Sequence, residues 1–196
     1  MLNLYDYHIN PQSLPGYNNR IKLIPELALV QALLNKPNRS PDLEHTILKN
    51  PQTAYKYTQI IIKSKWPEAE PIIMKDPYSA FSYADNIIKN KWPEAEPIIM
   101  KDPRSAYLYA KNIIKNRWPE AEPYIMQHSQ SAYLYANEVI NGRWKKAEPY
   151  IMKNPFSAYN YSINVIKNRW KEAELMLIQH NVLWNMYKKH FNIIED

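Results

Sequence analysis

Apolar and polar positions alternate along this chain with the period of a helix, and the helical pattern itself recurs at a longer interval. In residues 92–117, WPEAEPIIMKDPRSAYLYAKNIIKNR, the residues Ala106, Tyr109, Ala110, Ile113 and Ile114 fall at i, i+3, i+4, i+7 and i+8. That spacing predicts one apolar stripe on a helix of about three to four turns. A shorter segment before it places Ala95, Ile98 and Ile99 inward, with Glu94 and Glu96 near its positive N-terminal end.

Start and stop signals separate the two. Asp102-Pro103 is a helix start, because the carboxylate accepts from first-turn amides and proline gives up only an amide that has no partner there. Asn50-Pro51, Asp76-Pro77 and Asn154-Pro155 repeat it. Asn116, Gly142 and Asn168 tolerate the left-handed conformation and are predicted to close the longer helix. Pro93 and Pro97 lie four apart, so the short helix either begins near the second proline or has a distorted first turn, and spans about eight to ten residues at most. Two helices with tight connections make an αα-hairpin.

Trp66, Trp92, Trp118, Trp144 and Trp170 stand 26 residues apart, and most neighbouring positions repeat with them. A fixed period of this size predicts an all-α fold, an αα-hairpin solenoid in which each unit buries its apolar face on the next. The reading is of one α-solenoid domain over residues 1–196. Residues 1–39 form an N-terminal cap, 40–65 a degenerate repeat without the tryptophan, 66–169 four regular repeats and 170–196 a C-terminal cap. The last segment keeps Ala173, Glu174 and Tyr187 but has His180-Asn181 at the helix start and Trp184 where alanine usually sits.

Composition adds limits. Of 196 residues, 45% are hydrophobic, enough for a folded body. There is no cysteine, which excludes disulfides and thiolate zinc sites and points to a reducing, cytoplasmic setting. The first residues, Met1 to His8, lack the basic patch and apolar stretch of a secretory leader, and no window approaches about 18 uninterrupted apolar residues, so no membrane anchor is expected.

The recurring side chains read as structural. A tryptophan beside proline at the entrance of each short helix wedges one repeat against the next. Tyr83, Tyr109, Tyr135 and Tyr161 lie on the inward stripe and need hydroxyl partners, for which Glu70, Glu96, Glu122 and Glu148 are the candidates. With Lys91, Arg117, Arg143 and Arg169 they predict a Glu–Tyr–Arg ladder between layers. These acids are spread evenly along an axis, unlike a catalytic cluster in one pocket. His8, His45, His128, His180 and His190 show no metal-ligand spacing, and the two glycines, Gly16 and Gly142, cannot make a phosphate loop. No catalytic residue, metal or cofactor is assigned, and the chain is read as a non-enzyme.

What varies points elsewhere. Three positions of the longer helix change from copy to copy at i, i+4 and i+7: Tyr78, Ser82 and Asp85; Arg104, Leu108 and Lys111; Gln130, Leu134 and Asn137; Phe156, Asn160 and Ile163. A merely solvated face would be polar throughout, whereas this one carries five large apolar residues, and it is the candidate partner-binding surface. Tyr55, Phe81, Tyr107, Tyr133 and Tyr159 would line its edge.

The net charge is +6, which raises nucleic acid as a partner. Counted by copy, however, the net runs −1, +2, −2 and +4 over residues 66–91, 92–117, 118–143 and 144–169. A groove that tracks a phosphate backbone should be basic throughout, so this class is disfavoured.

The string W-P-E-A-E-P-x-I-M-K-D-P-x-S-A-Y-x-Y-A-x-x-I-I-K-N-R, clear over residues 66–173, resembles tandem repeats of bacteriophage and large DNA virus proteins. The resemblance implies a viral repeat protein, with no activity or site residues to carry over. The expectation is a non-enzymatic scaffold that docks a partner protein along the variable helix face, a host factor on the viral reading. The alternatives are an RNA- or DNA-binding helical repeat and a virion or assembly component.

Overall fold

The computed structural model describes Gly16 and residues 20–194. The start of the N-terminal cap, including Met1 to His8, lies outside the described residues. The fold is all-α, and helices pack against their neighbours in a repeated pattern of αα-hairpins, the αα-solenoid architecture. No helix among the described residues is long and apolar enough to cross a membrane. Contacts divide the chain into two compact units, Met1–Lys89 and Asn90–Asp196, at a junction between copies.

In the first unit, α1 (Pro25–Leu34) and α2 (Pro41–Ile47) precede α3 (Pro51–Tyr57), α4 (Glu70–Ile73) and α5 (Pro77–Tyr83). The second unit holds α6 (Glu96–Ile99), α7 (Pro103–Tyr109), α8 (Glu122–Ile125), α9 (Ser129–Tyr135), α10 (Glu148–Ile151), α11 (Pro155–Tyr161), α12 (Lys171–Leu177) and α13 (Asn181–Phe191). Capping follows the sequence signals. The carboxylate of Asp102 accepts from the Ser105 amide at 2.7 Å, Asn154 from Ser157 at 2.9 Å, and His128 takes the same place with Nδ1 accepting from Ser131 at 3.3 Å.

The short helix begins beside the second proline, one of the two expected alternatives. Its α-helical part is four residues, beginning one residue before the second proline, and a turn leads into it, closed by the Ala95 amide on the Trp92 carbonyl at 2.9 Å. The second proline supplies no N–H for the carbonyl four residues back and crowds it, so the turn closes three residues back instead. Where the second proline is absent, the helix lengthens: α2 and α12, with His45 and Leu175 in its place, each run seven residues.

The longer helix ends differently from the expectation. After Tyr57, Tyr83, Tyr109, Tyr135 and Tyr161 the chain widens into a π-helical turn, Thr58–Ile62, Ala84–Ile88, Ala110–Ile114, Ala136–Ile140 and Ser162–Ile166. The left-handed residue is one place earlier than expected: Lys63, Lys89, Lys115, Asn141 and Lys167, with φ from 54° to 58°. Asn116 and Asn168 instead accept from the next amide through Oδ1, each at 2.7 Å, and Gly142 is not left-handed. The wider turn also rotates Ile113 and Ile114 partly outward, while Ala106, Tyr109 and Ala110 are fully buried.

The tryptophans are interlayer wedges. Trp66, Trp118, Trp144 and Trp170 are buried, each against the tyrosine that ends the preceding longer helix, with ring centroids 5.1–5.4 Å apart. At the last hairpin, Phe191 meets Tyr187 edge-on at 4.7 Å, and Trp184 stacks on the same ring at 5.7 Å.

Candidate functional site

The repeated polar residues form closed triads inside each hairpin rather than a ladder between layers. Tyr135 donates to Glu122 at 3.2 Å and accepts from the Trp118 backbone amide at 2.7 Å. The same pair of bonds joins Tyr109 to Glu96 and Trp92, and Tyr161 to Glu148 and Trp144. The two end copies keep it: Tyr57 holds Glu44 and the Ser40 amide, and Tyr187 holds Glu174 and the Trp170 amide. The tryptophan could be lost at Ser40 because the bond uses the backbone.

Arginine completes the triad with a fork. Arg39, Arg117, Arg143 and Arg169 each place Nε and Nη2 on the carboxylate five residues ahead. Among the described residues no such fork joins Lys65 to Glu70 or Lys91 to Glu96, since an ammonium cannot bridge both oxygens as guanidinium does. Burial pushes the Tyr135 and Tyr161 hydroxyls up to about 12. Hydrogen bonding from Arg169 holds the Glu174 carboxyl below the usual carboxylate range. These rows are engaged in holding the hairpin, and no three His, Cys, Asp or Glu among the described residues group as metal ligands.

A second row, which sequence reasoning placed only at an edge, ties the layers. The Tyr55 hydroxyl accepts from Asn86 at 3.0 Å and the Tyr133 hydroxyl from Asn164 at 2.9 Å. In the copy just before the latter pair, Glu138 stands where asparagine otherwise recurs, and takes the Tyr107 hydroxyl and the Lys111 ammonium, the latter at 2.7 Å. Burial pushes the Glu138 carboxyl up, but the bonds from Lys111 and Tyr107 outweigh it and leave it below its ordinary value. The signal was legible as a spacing of 31 residues between tyrosine and asparagine.

The variable positions divide. Tyr78, Arg104, Gln130 and Phe156 open each longer helix and are exposed, Phe156 by 65%. Leu108, Leu134, Asn160, Asp85, Asn137 and Ile163 are half-buried. Lys111 is exposed but committed to Glu138. Ser82 is a correction: it is 4% exposed, on the side of α5 that carries the Asn86–Tyr55 bond, and is no part of an outer surface.

Within the second unit the first two variable positions of each copy line two neighbouring grooves between successive longer helices, whereas Lys111, Asn137 and Ile163 line neither. One, of about 590 Å³ between α7 and α9, is lined by Arg104, Tyr107, Leu108, Gln130 and Leu134 among others. The next, of about 510 Å³ between α9 and α11, is lined by Gln130, Tyr133, Lys153, Phe156 and Asn160. His128 and Gln130 belong to both, so the grooves share a wall.

Comparison with protein-family models, with curated proteins and with solved structures finds no match to this chain.

Proposed function

We propose that this chain is a non-enzymatic repeat scaffold that docks a protein partner across the longer helices α7, α9 and α11. One observation carries the reading. The tyrosine–glutamate–tryptophan triads that hold the fold repeat from copy to copy, while six of the positions that vary, Arg104, Leu108, Gln130, Leu134, Phe156 and Asn160, line two shared-wall grooves. Variation on a fixed frame is how solenoid proteins present distinct contacts to a ligand. The lining also suits a protein better than a phosphate backbone. Leu108, Leu134 and Phe156 supply apolar surface, whereas Arg117, Arg143 and Arg169 are forked onto glutamates rather than arrayed for phosphates.

The resemblance to viral repeat proteins makes a host-cell protein the partner class we propose. The test is affinity purification from host cells with the wild type and with a variant carrying Arg104→Ala, Leu108→Ala, Leu134→Ala and Phe156→Ala, followed by reconstitution with the purified companion. Loss of that companion with an unchanged thermal melt supports the reading. An unchanged set of companions, or a nucleic acid bound with a steep fall in affinity as salt rises, overturns it.

A further inference from the structure

Resting on that docking reading, the chemistry of the two grooves narrows the partner. Each groove offers one cation, apolar surface and neutral hydrogen-bonding groups. In the first, Arg104 stands beside Leu108 and Leu134; in the second, Lys153 stands near Phe156 and Asn160. Among the described residues no carboxylate pairs with Arg104, and Lys153 rests 5.0 Å over the Tyr150 ring. The one carboxylate in either lining, Asp102, is turned to its own helix, where it takes the Ser105 amide at 2.7 Å and hydroxyl at 2.6 Å. Its charge faces the first-turn amides, and the cations are left to the ligand.

Spacing fixes the form of the ligand. Packed helices lie about 8–10 Å apart, so the two grooves recur at about that interval, while an extended chain of the polyproline II form advances about 3.1 Å per residue and returns a side chain to the same face every third residue. Three extended residues therefore carry a peptide from one groove to the next. We infer that the occupant is an extended acidic segment of a protein, laid across α7, α9 and α11, with an apolar side chain about every third residue and carboxylates beside them for Arg104 and Lys153. Such complementarity sets register and rate of encounter as much as affinity.

The test uses the full chain and three fluorescein-labelled synthetic peptides with two leucines three residues apart, flanked by glutamates, by glutamines or by lysines, read by fluorescence anisotropy. The glutamate peptide is expected to bind at least about tenfold more tightly than the glutamine one, to lose most of that advantage in the Arg104→Gln, Lys153→Gln variant, and to bind poorly to a Leu108→Ser, Leu134→Ser variant whose circular dichroism is unchanged. Equal binding of the glutamate and glutamine peptides overturns the acidic inference and leaves the docking face standing. Failure of every peptide below about 1 mM, while the purified companion still binds wild type and not the fourfold alanine variant, overturns the inference alone. Preference for the lysine peptide, with no companion lost by that variant, overturns both.

Discussion

The hydroxyl of Tyr135 accepts the backbone amide of Trp118, 17 residues before it, at 2.7 Å. The tyrosine is fully buried, and among the described residues its oxygen is the acceptor of that amide at the entrance of the short helix. Tyr135→Phe is expected to destabilise the protein by about 1–3 kcal/mol, the cost of stranding a buried donor. Urea unfolding would show it as a lower midpoint at unchanged slope; a loss under about 0.5 kcal/mol would sink the assignment.

Burial raises the Tyr135 and Tyr161 hydroxyls to about 12, above the unfolded value near 10. Between those values the folded state binds more protons, so stability is whole below about pH 10 and declines as pH rises toward about 12. Alkaline melts should fall over that window, with tyrosinate absorbance appearing together with unfolding. A tyrosine titration completed near pH 10 with the fold intact would contradict this.

Lysine stands at positions 65 and 91 where arginine forks onto glutamate in other copies. Lys91→Arg should restore the fork to Glu96 and raise stability by up to about 1 kcal/mol, as for other exposed pairs of good geometry. Arg117→Lys should do the reverse. Both shifts should shrink in high salt, which thermal melts at two ionic strengths would reveal.

Lys115 holds a left-handed conformation at φ 55°, which costs a side chain with Cβ about 1–2 kcal/mol. Lys115→Gly removes that strain and adds about 0.5–1 kcal/mol of unfolded-chain entropy. The net expectation is a gain of about 0.5–1 kcal/mol, measured by chemical denaturation. Gly142→Ala, one place along a copy and not left-handed, should lose nothing comparable.

Trp118 is 5% exposed and meets the Tyr109 ring at 5.1 Å. Trp118→Ala should cost about 3–5 kcal/mol through the cavity it leaves. Trp184 is only half-buried and occupies a place that is alanine in the regular copies, so Trp184→Ala should cost clearly less. Similar losses from the two would remove the distinction between wedge and end-piece.

Much of this architecture was legible in the residues. The tryptophan period predicted the hairpin, Asp-Pro its longer helix, and buried tyrosines their need of glutamate. The helix end was misplaced because asparagine and glycine are the residues that favour left-handed backbone, whereas here a π turn shifts the reversal onto a lysine that bears the strain. Ser82 departs from the expectation because variation does not by itself mean exposure: the small side chain there is buried, while the larger Leu108 and Leu134 at the same place stay partly exposed. The grooves themselves were not legible, since they depend on how α7, α9 and α11 lie side by side.

The triad of Tyr135, Glu122 and the Trp118 amide lies wholly inside one hairpin. An in-frame gain or loss of one 26-residue module therefore leaves the bonds of each remaining triad made, and presents the incoming neighbour with the same ring to rest on. Array length in such a gene is free to drift by recombination between near-identical stretches, and the reach of the docking surface would change with it in whole-module steps.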